Sequence, residues 1–233
     1  MDIVHNAGQI VTAIGGLGTA AFGLVDATKV FWGGVNHVGF AKIKKRVTSL
    51  TPSGGQGTNA LSQPEIINTL KGHWFNGTDL ASQKSIAKSL VKLHLNSNNA
   101  EDVAKATNLD PGSLKSVVDK IGKVDTQGNP VGMTSAEGDL YARFDLIVTA
   151  LLDEVYQIAD QDYRNAARAL AVVFSVGLSI AGWVILNHDT PPANVGFWDA
   201  VIIGLLATPL APIAKDLSSA LATVVNTLQA VKK

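Results

Sequence analysis

The sequence predicts an all-α membrane protein with three transmembrane helices, a long stalk helix and a small cytoplasmic helical domain. Three observations support this fold class. Two long apolar segments near the C-terminus flank a polar turn that contains two prolines, and a third apolar segment lies near the N-terminus. Charged residues make up only 16% of the chain, against about 25% in typical soluble domains. The formal net charge of zero argues against a broad nucleic-acid surface, and the absence of cysteine excludes disulfides and thiolate metal sites.

Residues 169–214 are predicted to form a transmembrane helical hairpin. Residues 169–187 contain no charged side chain, and a helix needs about 20 apolar residues to cross the hydrocarbon core. The following segment, 188–194, is polar and includes Pro191 and Pro192, which a helix cannot pass without losing hydrogen bonds. The apolar character then returns in residues 195–214, where Asp199 is the only charged residue.

Residues 1–34 are predicted to hold the first transmembrane helix. Its apolar segment reaches full length only if it includes Asp26 and Lys29, which stand three apart on one helix face and can pair. Their position near Trp32 favours an interfacial charge pair over an ion site within the membrane. The helix is expected to end at Gly33 and Gly34.

Each predicted span carries a stripe of small residues, which allows close helix packing in lipid. In the first span the stripe is Gly8, Thr12, Gly15, Thr19 and Gly23; in the second it is Ala171, Ser175, Ser179 and Gly182; in the third it is Ala200, Gly204, Thr208 and Ala211. These faces predict a packed bundle, either within one chain or between copies in a homo-oligomer.

Residues 35–60 are predicted to form a basic amphipathic stretch followed by a flexible linker. Three apolar residues stand among four basic ones: Phe40, Ile43 and Val47 beside Lys42, Lys44, Lys45 and Arg46. Such a stretch is suited to an anionic membrane surface. The basic residues also predict orientation, because they follow span one while the N-terminus and the hairpin turn have none. The protein is therefore expected to be a multi-pass inner-membrane protein with its N-terminus outside and its C-terminus cytoplasmic.

Residues 61–124 are predicted to form a small helical cytoplasmic domain with an unidentified protein partner. Four helix starts are indicated: Ser62 with Glu65 as a capping box, Asp79, Asn99, and Asp110 before Pro111. The last two helices, about 22 residues, resemble a helix-turn-helix unit. A DNA reader needs basic residues on its second helix, which offers only Lys115 and Lys120, so nucleic acid is not the expected partner.

Residues 125–168 are predicted to be a linker followed by an acidic amphipathic stalk helix that continues into span two. If subunits form a ring, the carboxylates nearest the membrane would line a cation-attracting mouth, with one further carboxylate at the opposite mouth. The four at the first mouth are Asp153, Glu154, Asp160 and Asp162, and the one opposite is Asp199. The alternative is an ordinary solvated helix face. Residues 215–233 are predicted to be a C-terminal amphipathic helix with a short coiled-coil seam.

No catalytic, cofactor-binding or metal-binding motif is recognised, so an enzyme is not expected. The first interpretation is an integral membrane protein that forms a homo-oligomeric channel or a membrane scaffold in the lipid bilayer. A second is a pore-forming toxin or holin-like protein whose hydrophobic hairpin inserts, since the position of residues 169–214 is similar to that of the hairpin in colicin-type pore formers. A third is a membrane-tethered helix-turn-helix regulator.

Overall fold

The structure, a computed structural model, describes residues 2–52, 61–121, 123, 131–188 and 196–212, without the side chains of 2–9 and 11. The described residues form helices and no strands, which confirms the all-α prediction. The helices are α1 (Asp2–Trp32), α2 (Asn36–Leu50), α3 (Gln63–Phe75), α4 (Leu80–His94), α5 (Ala100–Thr107), α6 (Pro111–Lys120), α7 (Ser135–His188) and α8 (Phe197–Pro212). The predicted linkers and hairpin turn lie largely outside the described residues, and the C-terminal helix lies wholly outside them.

The chain divides into two compact units, and both include part of α7. Residues 36–163, here called the core unit, form one; residues 1–35 and 164–233 form the other, whose described part is here called the apolar unit. The prediction that the stalk helix continues into span two is confirmed, because α7 is one helix of 54 residues. Between Gly138 and Gly177 it contains neither glycine nor proline, the residues that most often interrupt a helix.

The core unit is held together by apolar side chains from all six of its helical segments. Its largest fully buried side chains include Tyr156, Phe144, Ile43, Ile66 and Leu114. Phe144, Val148, Leu152, Tyr156 and Ala159 place one face of α7 in this core. The basic stretch, the helices of residues 61–124 and the first part of the stalk thus share a single core, whereas the sequence had placed them in three separate segments.

The apolar face of α2 belongs to this core, so protein side chains and not lipid cover that face. Ile43 and Val47 are completely buried and Phe40 is 5% exposed. Gly39 permits the close approach, because a Cβ atom there would lie 2.5 Å from Trp74 Cζ2 and 2.6 Å from the Ala159 carbonyl oxygen. The Trp74 indole also donates a hydrogen bond of 2.9 Å to the Asn36 carbonyl. The exposed side of α2 carries its lysines together with Val38 and Ala41.

Local capping begins the helices where the sequence predicted. The Ser62 N–H donates to the Glu65 carboxylate at 2.7 Å at the start of α3. Asp79 accepts from the Ser82 N–H at 2.9 Å, and Asp110 accepts from Ser113 N–H at 2.7 Å. These bonds satisfy N–H groups that have no partner within the first helical turn.

His94 connects α4 to both flanks of the linker between α2 and α3. Its imidazole is 1% exposed, with Nδ1 3.0 Å from the Leu61 carbonyl oxygen and Nε2 3.1 Å from that of Pro52. Asn99 Nδ2 donates to the His94 carbonyl at 2.7 Å. A buried polar cluster therefore fixes the start of α3 and the start of α5 relative to the end of α4.

We expect Gly39→Ala to destabilise the core unit by about 1–3 kcal/mol, because the added methyl group would overlap Trp74 and the α7 backbone. Gly72→Ala in α3 is the matched control. Nothing lies within 4 Å of its added Cβ, so we expect a neutral effect or a stabilisation of up to ~1 kcal/mol. Urea unfolding of the full chain in detergent measures both variants. Equal effects of the two substitutions would contradict the close approach at Gly39.

Candidate functional site: the apolar unit and the charged face of α7

The interior of the apolar unit consists almost entirely of small residues. The buried positions of its helices come from α1, the second part of α7, and α8. They are Gly15, Gly18, Ala21, Val25, Ala171, Ser175, Ala200, Gly204, Ala207, Thr208 and Ala211. An interior of this kind lets helix backbones approach each other closely, as helices do when they pack in lipid.

The surface of the apolar unit carries its large hydrophobic side chains. The exposed ones include Val30, Phe31, Trp32, Val173, Val184, Ile185, Leu186, Trp198, Ile202, Leu205 and Leu206. Phe31 is 74% exposed, and Trp32 is 81% exposed. Such a surface in water would be a large apolar patch of the kind that marks an interface with protein or membrane.

Two glycines bring the helix backbones into contact. A Cβ atom at Gly204 in α8 would lie 2.6 Å from the Val176 Cα of α7, and one at Gly18 in α1 would collide with the carbonyl oxygen of Ala207 in α8. Ser179 adds a hydrogen bond of 2.6 Å from its hydroxyl to the Ala200 carbonyl oxygen. These contacts join all three helices of the unit.

The predicted packing residues are divided between the interior and the surface of the unit. Gly15 and Ser175 are buried, whereas no other atoms would lie within 4 Å of a Cβ at Gly23 or at Gly182. The surroundings of Gly8 lie outside the described side chains. Gly18, which lies outside the predicted stripe, makes the close contact with α8; its spacing of three from Gly15 recurs between other small residues of α1 and does not distinguish it.

By length and composition, one helix in the described part of the chain can cross a membrane. That helix is α7, and only 11% of its most apolar 18-residue window is buried. Low burial distinguishes α7 from the core helix of a soluble protein. The apolar helix α8 is shorter, spanning Phe197–Pro212. α7 therefore indicates an association with membranes.

Aromatic residues lie at both ends of the apolar unit. At one end the rings of Trp183 and Phe197 are 5.5 Å apart, and those of Phe197 and Trp198 are 5.6 Å apart. An apolar cavity of about 440 Å³ is lined by Trp183 and by residues of α1 from Ile10 to Leu17. The other aromatic pair, Phe31 and Trp32, ends α1.

The acidic face of α7 lies against basic side chains of the core unit. Asp153 pairs with Lys84 at 2.5 Å. Glu154 lies 3.5 Å from Arg46, and Asp162 lies 3.8 Å from Lys42. Asp160 stands on the same helix. Whether these carboxylates line an ion path stays a prediction, but Asp153, Glu154 and Asp162 each have a cation of the same unit beside them.

The same pairing extends towards the start of α7. Asp145 accepts from Lys88 at 2.6 Å and from Lys92 at 3.0 Å, and these two lysines hold the pKa of Asp145 below its ordinary value. Each exposed pair contributes at most about 1 kcal/mol. Their main effect is to neutralise an acidic helix face that would otherwise repel itself.

The predicted interfacial pair and the carboxylate predicted at the opposite mouth both have partners close by in the sequence. Lys29 Nζ lies 2.6 Å from Asp26 Oδ1 near the end of α1. Asp199 Oδ2 accepts a hydrogen bond of 2.8 Å from the Gly196 N–H. That carboxylate stabilises the N-terminus of its own helix, where negative charge is favourable.

The α5–α6 pair has a tight turn in which Asn108 adopts φ 55°. Lys115 of α6 pairs with Glu101 at 2.7 Å, and Lys120 pairs with Glu137 at 2.6 Å. Both predicted basic positions of the helix-turn-helix resemblance are thus neutralised within the chain. Within the described ranges, no group of three His, Asp or Glu residues has the arrangement of a metal site.

The environment of the Glu137 carboxylate makes the free energy of unfolding depend on pH. Hydrogen bonds from Lys120 and from Thr134 lower its pKa from 4.5 to about 2. A lowered folded-state pKa stabilises the fold above the unfolded value, and the stabilisation disappears as the pH falls through the folded value. We expect Glu137→Gln to lower the urea midpoint at neutral pH and to differ progressively less from the wild type between pH 4.5 and about 2. A difference that is constant over this range would contradict the assignment.

Comparison with known proteins does not place the chain in a family. It matches no protein-family model, no curated protein sequence and no solved structure. Its function is therefore inferred from the geometry of its own residues.

Proposed function

We propose that this chain is a three-span membrane scaffold of the inner membrane that self-associates and holds the core unit on the cytoplasmic side. The observation that carries the proposal is the inverted burial of the apolar unit, with small residues inside and large apolar residues outside. In water this arrangement would expose the most hydrophobic side chains, whereas in a bilayer those side chains contact lipid tails. The same observation supports α1 and α8 as spans beside α7.

The spacing of the aromatic residues agrees with a bilayer. Ile10 and Ile14 line the same cavity as Trp183, so they mark the level of that aromatic group on α1. From these residues to Phe31 is 17 to 21 positions, or roughly 26–32 Å of helix. The hydrocarbon core is about 30 Å thick, and aromatic residues concentrate at its two boundaries.

The distribution of basic residues supports the orientation. Ile10 of α1 and Ala200 of α8 line the same cavity as Asn187 near the end of α7, and residues 189–195 contain no Lys or Arg. Four basic residues follow α1, and Arg164 and Arg168 precede the apolar part of α7. The positive-inside rule therefore places the core unit and the C-terminus in the cytoplasm and the N-terminus outside.

Two observations favour a scaffold over a channel. Backbone contacts at Gly18 and Gly204 bring the three helices of one chain close together at those positions. Three of the four carboxylates expected at a cation-attracting mouth, Asp153, Glu154 and Asp162, lie beside basic side chains. The pairing reduces the negative field that such a mouth would need.

Self-association is proposed through the outer face of α1. Gly16, Ala20 and Gly23 are exposed on one face of the helix, and no atoms lie within 4 Å of a Cβ placed at Gly16 or Gly23. The steps of four and three keep these residues aligned. A second α1 could approach this face as closely as α8 approaches the opposite one.

Topology is the first test. The wild-type chain has no cysteine, so single cysteines can be labelled selectively. We expect Ser85→Cys, in the core unit, to be labelled only after permeabilisation of cells, and Asn194→Cys, in the turn between α7 and α8, to be labelled from outside in intact cells. Labelling of both positions from outside would contradict the three-span arrangement.

Substitutions at two nearby glycines of α1 test self-association and folding separately. We expect Gly16→Leu to shift the wild-type oligomer towards monomer by mass measurement in detergent and in lipid discs, with unchanged thermal stability of the monomer. Gly18→Leu should instead destabilise the apolar unit, because its side chain would meet the α8 backbone. A monomeric wild type, or identical behaviour of the two variants, would rule out the proposed face.

Electrical recording separates a scaffold from a channel. We expect no conductance from correctly assembled wild-type protein in planar bilayers at any salt concentration. A channel would instead conduct cations, and Asp153→Asn, Glu154→Gln, Asp160→Asn and Asp162→Asn together would reduce the current chiefly at low salt, where screening is weak. Such a current would contradict the scaffold proposal and support a channel.

A further inference from the structure

We propose that the basic face of α2 forms a binding groove for the headgroup of an anionic phospholipid. The groove has a volume of about 420 Å³ and is lined by Lys42, Lys45, Arg46, Ser49, Val155 and Ile158. It lies entirely within the core unit. The inference rests on the proposed function, because it requires a membrane close to α2, and it adds a specific lipid class to that function.

The spacing of the cations creates the site. Lys42, Lys45, Arg46 and Ser49 follow one another at steps of three, one and three, so they share a helix face. Their helix cannot turn this face inwards, because Ile43 and Val47 on its other side are completely buried. Val155 and Ile158 of α7 form an apolar floor, and apolar surface beside a cation strengthens its attraction to a phosphate.

The cations of the groove are held loosely by their protein partners. Arg46 lies 3.5 Å from Glu154, and Lys42 lies 3.8 Å from Asp162, whereas Lys88 lies 2.6 Å from Asp145 elsewhere on the same helix. Lys45 forms no ion pair with any described residue. A phosphate could therefore bind Lys45 directly and draw the guanidinium of Arg46 into a bidentate contact, the geometry in which Arg binds phosphate most strongly.

Chain connectivity favours a lipid over a free anion. Only Gly33, Gly34 and Val35 separate Trp32, at the end of α1, from Asn36, at the start of α2. If α1 spans the bilayer, the groove is tethered by a short connection to the leaflet that carries anionic headgroups. Basic residues that close to a membrane each contribute about 1 kcal/mol of attraction to anionic lipid.

The test is native mass spectrometry of the full chain in non-ionic detergent, titrated with dioleoylphosphatidylglycerol or with dioleoylphosphatidylcholine. We expect the wild type to bind the anionic lipid about tenfold more tightly than the zwitterionic one, and K42Q/K45Q/R46Q to lose this preference. The variant K71Q/K105Q/K115Q, which removes the same charge from positions elsewhere in the core unit, should keep it. K42R/K45R/R46K should also keep it, because the positive charge is preserved.

Several outcomes would overturn the inference. They are an unchanged preference in K42Q/K45Q/R46Q, an equal loss in the K71Q/K105Q/K115Q control, or displacement of the lipid by an equal concentration of inorganic phosphate, which would assign the groove to a free anion. If the triple variant loses helicity by circular dichroism, the single variant K45Q replaces it as the test of lipid preference, because K45Q breaks no described ion pair.

Insertion into phosphatidylcholine discs tests the proposed function separately. Insertion without a preference for anionic lipid refutes only the groove, whereas failure to insert refutes the membrane scaffold.

Discussion

Burial of one face of α7 is the interaction on which the core unit depends. Phe144, Val148, Leu152, Tyr156 and Ala159 of this face share a core with side chains from α2 to α6. Beyond Tyr163 the same helix presents Ala171 and Ser175 inwards and larger apolar residues outwards. One uninterrupted helix therefore buries large apolar side chains in its first part and small ones in its second part.

The charges of the core unit follow from that burial. Placing the apolar face of α7 inside the domain brings its acidic residues beside the lysines of α4 and the basic residues of α2, so a helix that looks strongly acidic in sequence becomes largely neutralised. The contacts differ in closeness: Lys84 and Lys88 approach their carboxylates to about 2.5 Å, while Lys42 and Arg46 stay farther away. Residual positive charge is therefore concentrated on α2.

Local features could be predicted from the sequence, and tertiary partners could not. Asp79 and Asp110 identified helix starts because capping depends on neighbours within one turn. The apolar stripe of α7 predicted its long helix for the same reason. For α2, the periodicity of Phe40, Ile43 and Val47 showed an apolar face but not whether lipid or protein would cover it. On α1, small residues recur so densely that periodicity could not distinguish Gly18, which meets α8, from Gly23, which does not.

The dense recurrence of small residues on α1 has a physical consequence. Between helices surrounded by lipid tails there is no hydrophobic driving force, so their association depends on van der Waals contact and occasional hydrogen bonds such as that of Ser179. Gly15 and Gly18 use one face of α1 for contacts within the chain. Gly16, Ala20 and Gly23 repeat the same chemistry on a face centred roughly 140° around the helix from the midpoint of Gly15 and Gly18. Because the two faces do not overlap, the proposed self-association would leave the contact between α1 and α8 in place.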